Sequence, residues 1–195
     1  MSHDVPFAEE ARGLLAVRLF AREECRRIVE HVSALDGWYD ATVRVREDGQ
    51  VVDVVSRDAR AASVLSLWQA PELLERFDEQ INTVISPLIS NVWRVRLETH
   101  AGAQLVRYTP GGHYDTHQDA GATCTERYFS VVCYLNDDFD GGGTYFPDLN
   151  HMAVPASGKA IVFPSQYFHR AEPVVRGEKF VAVTWIVGPV PIRWI

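Results

Sequence analysis

In the stretch REECRRIVEHVSAL the apolar residues Cys25, Ile28, Val29, Val32 and Leu35 recur every three or four positions. This spacing gathers them on one face and predicts an amphipathic helix of about three turns, ended by Gly37. A second helix is predicted from Pro71, a residue suited to a first turn. Its buried face is formed by Leu73, Leu74, Phe77, Ile81, Val84 and Ile85, and Pro87 is its predicted stop. Between the two, TVRVREDGQVVDVVS is alternating or β-branched on both sides of Asp48-Gly49, a pair that tolerates positive φ, and predicts a β-hairpin. From Trp93 the pattern changes to short runs: WRVRLETH, QLVRYT, RYFSVVCYL, GTYF, KAIVFP, FHRAEPV and KFVAVTWIV, parted by Gly, Pro, Asn or Asp. A helical front and a strand-rich back predict an α+β protein, mainly β, built as a sandwich, barrel or jelly roll.

At 195 residues, with no repeat, low-complexity tract or linker, the chain reads as a single domain spanning 1–195. The 47% hydrophobic and 23% charged residues are those of an ordinary globule. A net charge of -7 with scattered basic residues gives no footprint for nucleic acid. The opening MSHDVPFAEEARGLL lacks a basic and an apolar signal region, and no apolar run approaches the ~18 residues of a membrane span. A cytoplasmic protein with no membrane partner is therefore expected. Cys25, Cys124 and Cys133, odd in number and without C-x-x-C spacing, suit a reducing compartment and read as packing residues. Oligomeric state has no signature in the pattern.

The chemistry concentrates in GGHYDTHQDAG, which carries His-x-Asp twice, as His113 with Asp115 and His117 with Asp119. In an extended strand all four side chains point the same way, so periodicity leaves both pairs open as metal ligands. Around them stand Arg107-Tyr108, Gly111 and Tyr114, then YLNDDFDGGGTYFP, Pro155 with Gly158, His169, Pro173-Val174, Gly177, Lys179 and Trp185. In order and spacing, residues 93–187 resemble the prolyl 4-hydroxylase-like branch of the Fe(II)/2-oxoglutarate-dependent oxygenases.

The resemblance implies a distorted double-stranded β-helix, a cupin-like jelly roll, over 93–187, with 1–92 as helical and hairpin support. It selects His117, Asp119 and His169 as the ligands of Fe(II) and leaves His113 and Asp115 outside the metal shell. Two histidines and a carboxylate suit Fe(II) and leave adjacent coordination positions open. It further implies 2-oxoglutarate and O2 as cosubstrates, with succinate and CO2 formed as an unactivated C–H bond is hydroxylated. Lys179 matches the lysine that meets the far carboxylate of 2-oxoglutarate, and Tyr108 matches a hydroxyl donor to it. Ser130 stands where that pattern has threonine, and Trp185 matches a tryptophan that walls the pocket. Arg127 and His113 are candidate substrate contacts. The retained Asp119 departs from related halogenases, which lose this carboxylate, and so implies hydroxylation or another reaction begun by hydrogen abstraction. Alternation is consistent with the set: Ser130, Val132 and Tyr134 share one face of a strand, and Lys179, Val181, Val183 and Trp185 share one face of another.

The short chain, without an evident peptide-binding appendage, favours an amino-acid-type small-molecule substrate, free or carrier-tethered. Peptidyl prolyl hydroxylation is the alternative, and an open groove would point to it. A non-catalytic double-stranded β-helix protein binding metal or ligand is a further alternative. The acidic charge disfavours a nucleic-acid demethylase. The 41–57 hairpin is expected as a lid over the pocket, against the plainer reading of sheet extension.

Overall fold

One strand shows how the molecule is layered. In Arg127–Tyr134, Phe129, Val131 and Cys133 enter one apolar cluster, whereas Val132 and Tyr134 enter another on the opposite face. The period of two in RYFSVVCY therefore separates helices on one side from a second sheet on the other. The structure, a computed structural model, describes residues 6–95, 97, 99–121 and 124–188.

The large antiparallel sheet runs, edge to edge, through Phe7–Ala11, Leu14–Arg18, Lys159–Pro164, Arg127–Tyr134, Lys179–Val187, Gln104–Tyr108, Ser63–Ser66 and Tyr39–Asp40. Thr99–His100 pairs with the end of Lys179–Val187. The second sheet comprises His151–Ala153, Thr144–Phe146, His169–Ala171, His113–His117 and Arg60–Ala61. Phe146 and Ala153 of this sheet pack with Val106, Tyr134, Phe163 and Val181 of the large one, so the two sheets close over a shared core. This is the double-stranded β-helix.

Helix α1 (Arg22–Ser33), helix α2 (Pro71–Gln80) and the turn after it cover the other face, with Cys25, Val32, Phe77, Ile81 and Ile85 buried in one cluster with Phe129, Val131 and Phe180. Helix α1 stops before Gly37: the Ala34 N–H turns back to the His31 carbonyl at 3.2 Å, tightening the last turn. Pro87 likewise does not end the second helical stretch. The chain passes through a π-helical turn, Ile81–Ile85, into α3 (Ser86–Trp93) and ends at Arg94 in the left-handed region. The widened turn gives room to a ring that an α-turn would drive into the Thr83 carbonyl, and Pro87 then sits in a first turn where its missing N–H costs nothing. Trp93 is consequently helical, packed 4.6 Å from the Phe129 ring, and the predicted WRVRLETH strand is reduced to Thr99–His100. Residues 96 and 98 of that stretch lie outside the described residues.

The hairpin forms as predicted, with Thr42–Glu47 against Gln50–Val55 and Asp48 and Gly49 at φ of 48° and 80°. Among the described residues it pairs with no other strand, which speaks against the sheet-extension reading. Among the described residues no helix is long and apolar enough to cross a membrane.

Candidate active site

His113–His117 and His169–Ala171 pair antiparallel with His117 opposite His169, which sets the two imidazoles side by side at a centroid distance of 4.2 Å. Asp119, just beyond the first strand, completes the group. Its Oδ1 lies 3.5 Å from His117 Nε2 and its Oδ2 lies 3.5 Å from His169 Nε2. One donor atom from each residue falls within 4.8 Å of the others, the set among the described residues able to hold a metal ion. His113 stands apart: its ring nitrogens meet the carbonyls of Gly111 and Asp58, each at 3.0 Å.

The tautomers are fixed by the backbone. His117 Nδ1 meets the Asp115 carbonyl at 2.7 Å and His169 Nδ1 meets the Tyr167 carbonyl at 3.0 Å. A carbonyl only accepts, so each Nδ1 carries the proton and each Nε2 presents a lone pair beside Asp119. Burial alone would raise the Asp119 carboxyl, but His169, His117 and the Ser130 hydroxyl outweigh it and hold the group well below the usual carboxylate range. Burial pushes His169 down to about 4, against the pull of Asp119. An ionised carboxylate beside a neutral imidazole is the protonation state that metal binding needs. The donor set thus fits Fe(II).

The five other expected site residues divide. Lys179, 2% exposed, donates to the Gly142 carbonyl at 2.7 Å and stands 4.8 Å from the Tyr108 ring centre. Gly142 is required here: its φ is +62°, and a Cβ would come within 2.8 Å of the Phe139 ring. No carboxylate among the described residues pairs with the ammonium, and burial pushes its pKa down to about 7. A buried cation of this kind calls for an anion, and Lys179 and Tyr108 both line the cleft that holds the three ligating residues, so they fit the far carboxylate of 2-oxoglutarate. Trp185 lines the same cleft, its Nε1 buried without an acceptor among the described residues, and Arg127 stacks 3.6 Å over its ring.

Ser130, expected as a third donor to the far carboxylate of 2-oxoglutarate, has other partners in this structure. Its hydroxyl donates to Asp119 Oδ2 at 2.6 Å and meets Ser165 Oγ at 2.9 Å, so it is engaged with the carboxylate ligand. The register explains this: Ser130 lies opposite Trp185, while Tyr134 lies opposite Val181, the pair nearest Lys179. Six residues of strand, roughly 20 Å, separate Ser130's partner from Lys179.

Two further residues complete the cleft, Tyr114, which the pattern includes without a role, and Arg60, which it does not include. Tyr114, inside the motif stretch itself, stacks on His117 at 3.6 Å. Arg60, with no motif around it, is brought in by pairing opposite Tyr114 and lies 4.6 Å from that ring. Thr42, Val43 and Val45 of the hairpin line the same space, whose volume is about 710 Å³.

Residues 103–187 match the profile of the 2OG-Fe(II) oxygenase superfamily. A PKHD-type hydroxylase of Sphingopyxis alaskensis is 41% identical over 45% of this chain and 44% of its own length. Prolyl 4-hydroxylase subunit alpha-1 of Caenorhabditis elegans is 25% identical over 75% of this chain and 28% of its own length. The chain thus spans under half the length of either curated relative. Among solved structures, a prolyl hydroxylase from Trichoplax adhaerens in complex with a hypoxia inducible factor peptide fragment superposes with a TM-score of 0.72, at 15% identity, over 90% of this chain and 83% of that one. Motif, fold and profile agree: over residues 103–187 the chain is similar to the 2OG-Fe(II) oxygenase superfamily, and within it to prolyl 4-hydroxylase-like members.

Proposed function

We propose that this chain catalyses Fe(II)- and 2-oxoglutarate-dependent hydroxylation of a prolyl residue within a peptide. The observation that carries the reading is the shared cleft: His117, Asp119 and His169 open into the same 710 Å³ space as the hairpin residues Thr42, Val43 and Val45. A cleft walled by a separate hairpin suits an extended chain better than one small molecule. The relatives named prolyl 4-hydroxylase and the peptide-bound structural neighbour support this choice of substrate. It takes precedence over the small-molecule reading, which rested on chain length. An amino-acid-type substrate remains the second reading, favoured by Arg127, a guanidinium beside the ligand set that could meet an α-carboxylate.

When bound, Fe(II) with 2-oxoglutarate and O2 supplies the oxidising power for C–H hydroxylation, and the cosubstrate leaves as succinate and CO2. The chain's own residues prepare the site. His117 and His169 offer Nε2 and Asp119 a carboxylate oxygen, with Ser130 fixing the carboxylate. Lys179 supplies the charge for the far carboxylate of the cosubstrate, and Tyr108 packs against that ammonium. Phe146 and Phe163 stack or abut His169 at 5.9 and 4.8 Å and keep water from that side. Trp185 forms a wall. Both apolar clusters share the large sheet, which supports one domain over the chain, and three buried free cysteines support a reducing, cytoplasmic setting.

The test is succinate formation by the Fe(II)-loaded protein with 2-oxoglutarate against proline-containing peptides and free amino acids. Turnover stimulated by peptides, with hydroxyproline in the product, is expected. Stimulation only by a free amino acid would transfer the reading to small-molecule metabolism. Full activity in His117→Ala or Asp119→Ala would remove the ligand assignment.

A further inference from the structure

Arg60 enters the cleft from the two-residue strand Arg60–Ala61, opposite Tyr114. One of its terminal nitrogens donates to the Thr42 carbonyl at 2.9 Å, and its Nε is buried with no acceptor among the described residues. Its guanidinium also lies over the Tyr114 ring and hydrogen-bonds the Tyr108 hydroxyl, and no carboxylate among the described residues pairs with it. Arg127 is in a similar state: it stacks on Trp185 at 3.6 Å, donates to the Asp119 main-chain oxygen at 3.4 Å, and has no carboxylate partner among the described residues. Arg44, by contrast, is already neutralised by Asp53 at 3.0 Å.

Two uncompensated guanidinium groups thus share one cleft in a protein of net charge -7. The opposing acid in this space, apart from Asp53 and the ligand Asp119, is Asp115, whose side chain is 68% exposed and well screened. A guanidinium held flat against an aromatic ring presents its edge as a fork for a carboxylate. Lys179 is sunk in the core, whereas Arg60 is bonded to the hairpin at Thr42. The anion that Arg60 meets therefore belongs to the molecule lying under the hairpin.

We propose that Arg60, together with Arg127, binds side-chain carboxylates of the substrate, so that the peptide accepted is an acidic one, with Asp or Glu flanking the residue that reacts. This rests on the peptide-hydroxylase reading and adds a charge specificity to it. Arg60 is the specificity-determining residue, through the part of its guanidinium edge that lines the cleft beside the Thr42 bond.

The experiment measures binding of labelled proline peptides flanked by Asp/Glu, by Ala/Ser or by Lys to the anaerobic Fe(II)- and 2-oxoglutarate-loaded protein, by fluorescence anisotropy, alongside aerobic succinate formation. Acidic peptides are expected to bind about 10-fold tighter than neutral ones, with a gap that narrows in salt and closes in Arg60→Gln. Arg60→Lys, which keeps the charge and loses the fork, is expected to retain part of it. The KM for 2-oxoglutarate is expected to stay unchanged in both variants. Equal binding of acidic and neutral peptides, with turnover of both, would overturn the charge specificity and leave the hydroxylase reading intact. A raised KM for 2-oxoglutarate in Arg60→Gln, without loss of peptide preference, would reassign Arg60 to the cosubstrate and overturn the proposal. Turnover of free amino acids and of no peptide would overturn the peptide reading itself.

Discussion

Ser130 gives its hydroxyl to Asp119 Oδ2 at 2.6 Å from the middle of a buried strand, so the carboxylate is oriented by a side chain that is itself immobile. Partners of this kind typically account for ~10–100-fold in metal affinity or activity. Ser130→Ala is expected to weaken Fe(II) binding within that range while leaving the KM for 2-oxoglutarate unchanged, and Ser130→Thr to keep most of the affinity. Metal titration and steady-state kinetics of the three proteins separate this role from cosubstrate binding; a raised KM with normal metal affinity would restore the latter.

Lys179 predicts a proton linkage. Its folded pKa, about 7, lies below the ordinary 10.5, so between these values the unfolded chain holds the extra proton. Stability of the ligand-free protein should therefore rise with pH across that window. A carboxylate placed beside the ammonium restores the charged form. Binding of 2-oxoglutarate at pH 8.5 is expected to take up about one proton, read from calorimetry in buffers of different ionisation enthalpy. Lys179→Met should abolish the uptake and raise the KM for 2-oxoglutarate by about 30-fold or more. Uptake that persists in the variant would assign the proton elsewhere.

What the sequence could reveal depended on how local the cause was. Asp48-Gly49 fixes its hairpin within two residues, and the alternation of RYFSVVCY and KFVAVTWIV survives because each strand separates unlike layers. Leu14–Arg18 was invisible: four successive buried residues leave no period of two. Pro87 misled because the π-helical turn that admits it has no sequence marker. The clustering of His117, Asp119 and His169 was legible from spacing and family pattern together, whereas Arg60 needed the pairing of a distant short strand with His113-Tyr114. For Ser130 alternation gives the face, and only register gives the depth, opposite Trp185.

His113 carries a pH-dependent contribution of the opposite sign to that of Lys179. Hydrogen bonds to the Gly111 and then the Asp58 carbonyl raise its pKa above 6.5, because both nitrogens donate only in the charged ring. Its stabilisation is fully present below 6.5 and is lost as pH rises through the folded value. The melting temperature of His113→Gln is expected to fall furthest below that of the parent at pH 5.5 and to approach it at pH 8.5. A difference independent of pH would show that the ring acts through packing alone.

The hairpin is the element whose motion should be readable. Two strands paired only with each other are marginal by themselves, so Thr42–Val55 depends on the contacts that hold it over the cleft. Among the described residues those contacts include Arg60 to the Thr42 carbonyl at 2.9 Å and Arg44 to Cys124 Sγ at 2.9 Å. Arg44 ties the hairpin to the loop that follows Asp119, so whatever fills the cleft also bears on the tie. Amides of the hairpin are expected to exchange far faster than those of Lys179–Val187 in the ligand-free protein and to slow when Fe(II), 2-oxoglutarate and peptide are added under anaerobic conditions. Arg44→Ala should remove part of that slowing and raise the KM for peptide more than that for 2-oxoglutarate. Equal protection of hairpin and central strand in both states would mean that the hairpin is a fixed wall and that substrate enters another way.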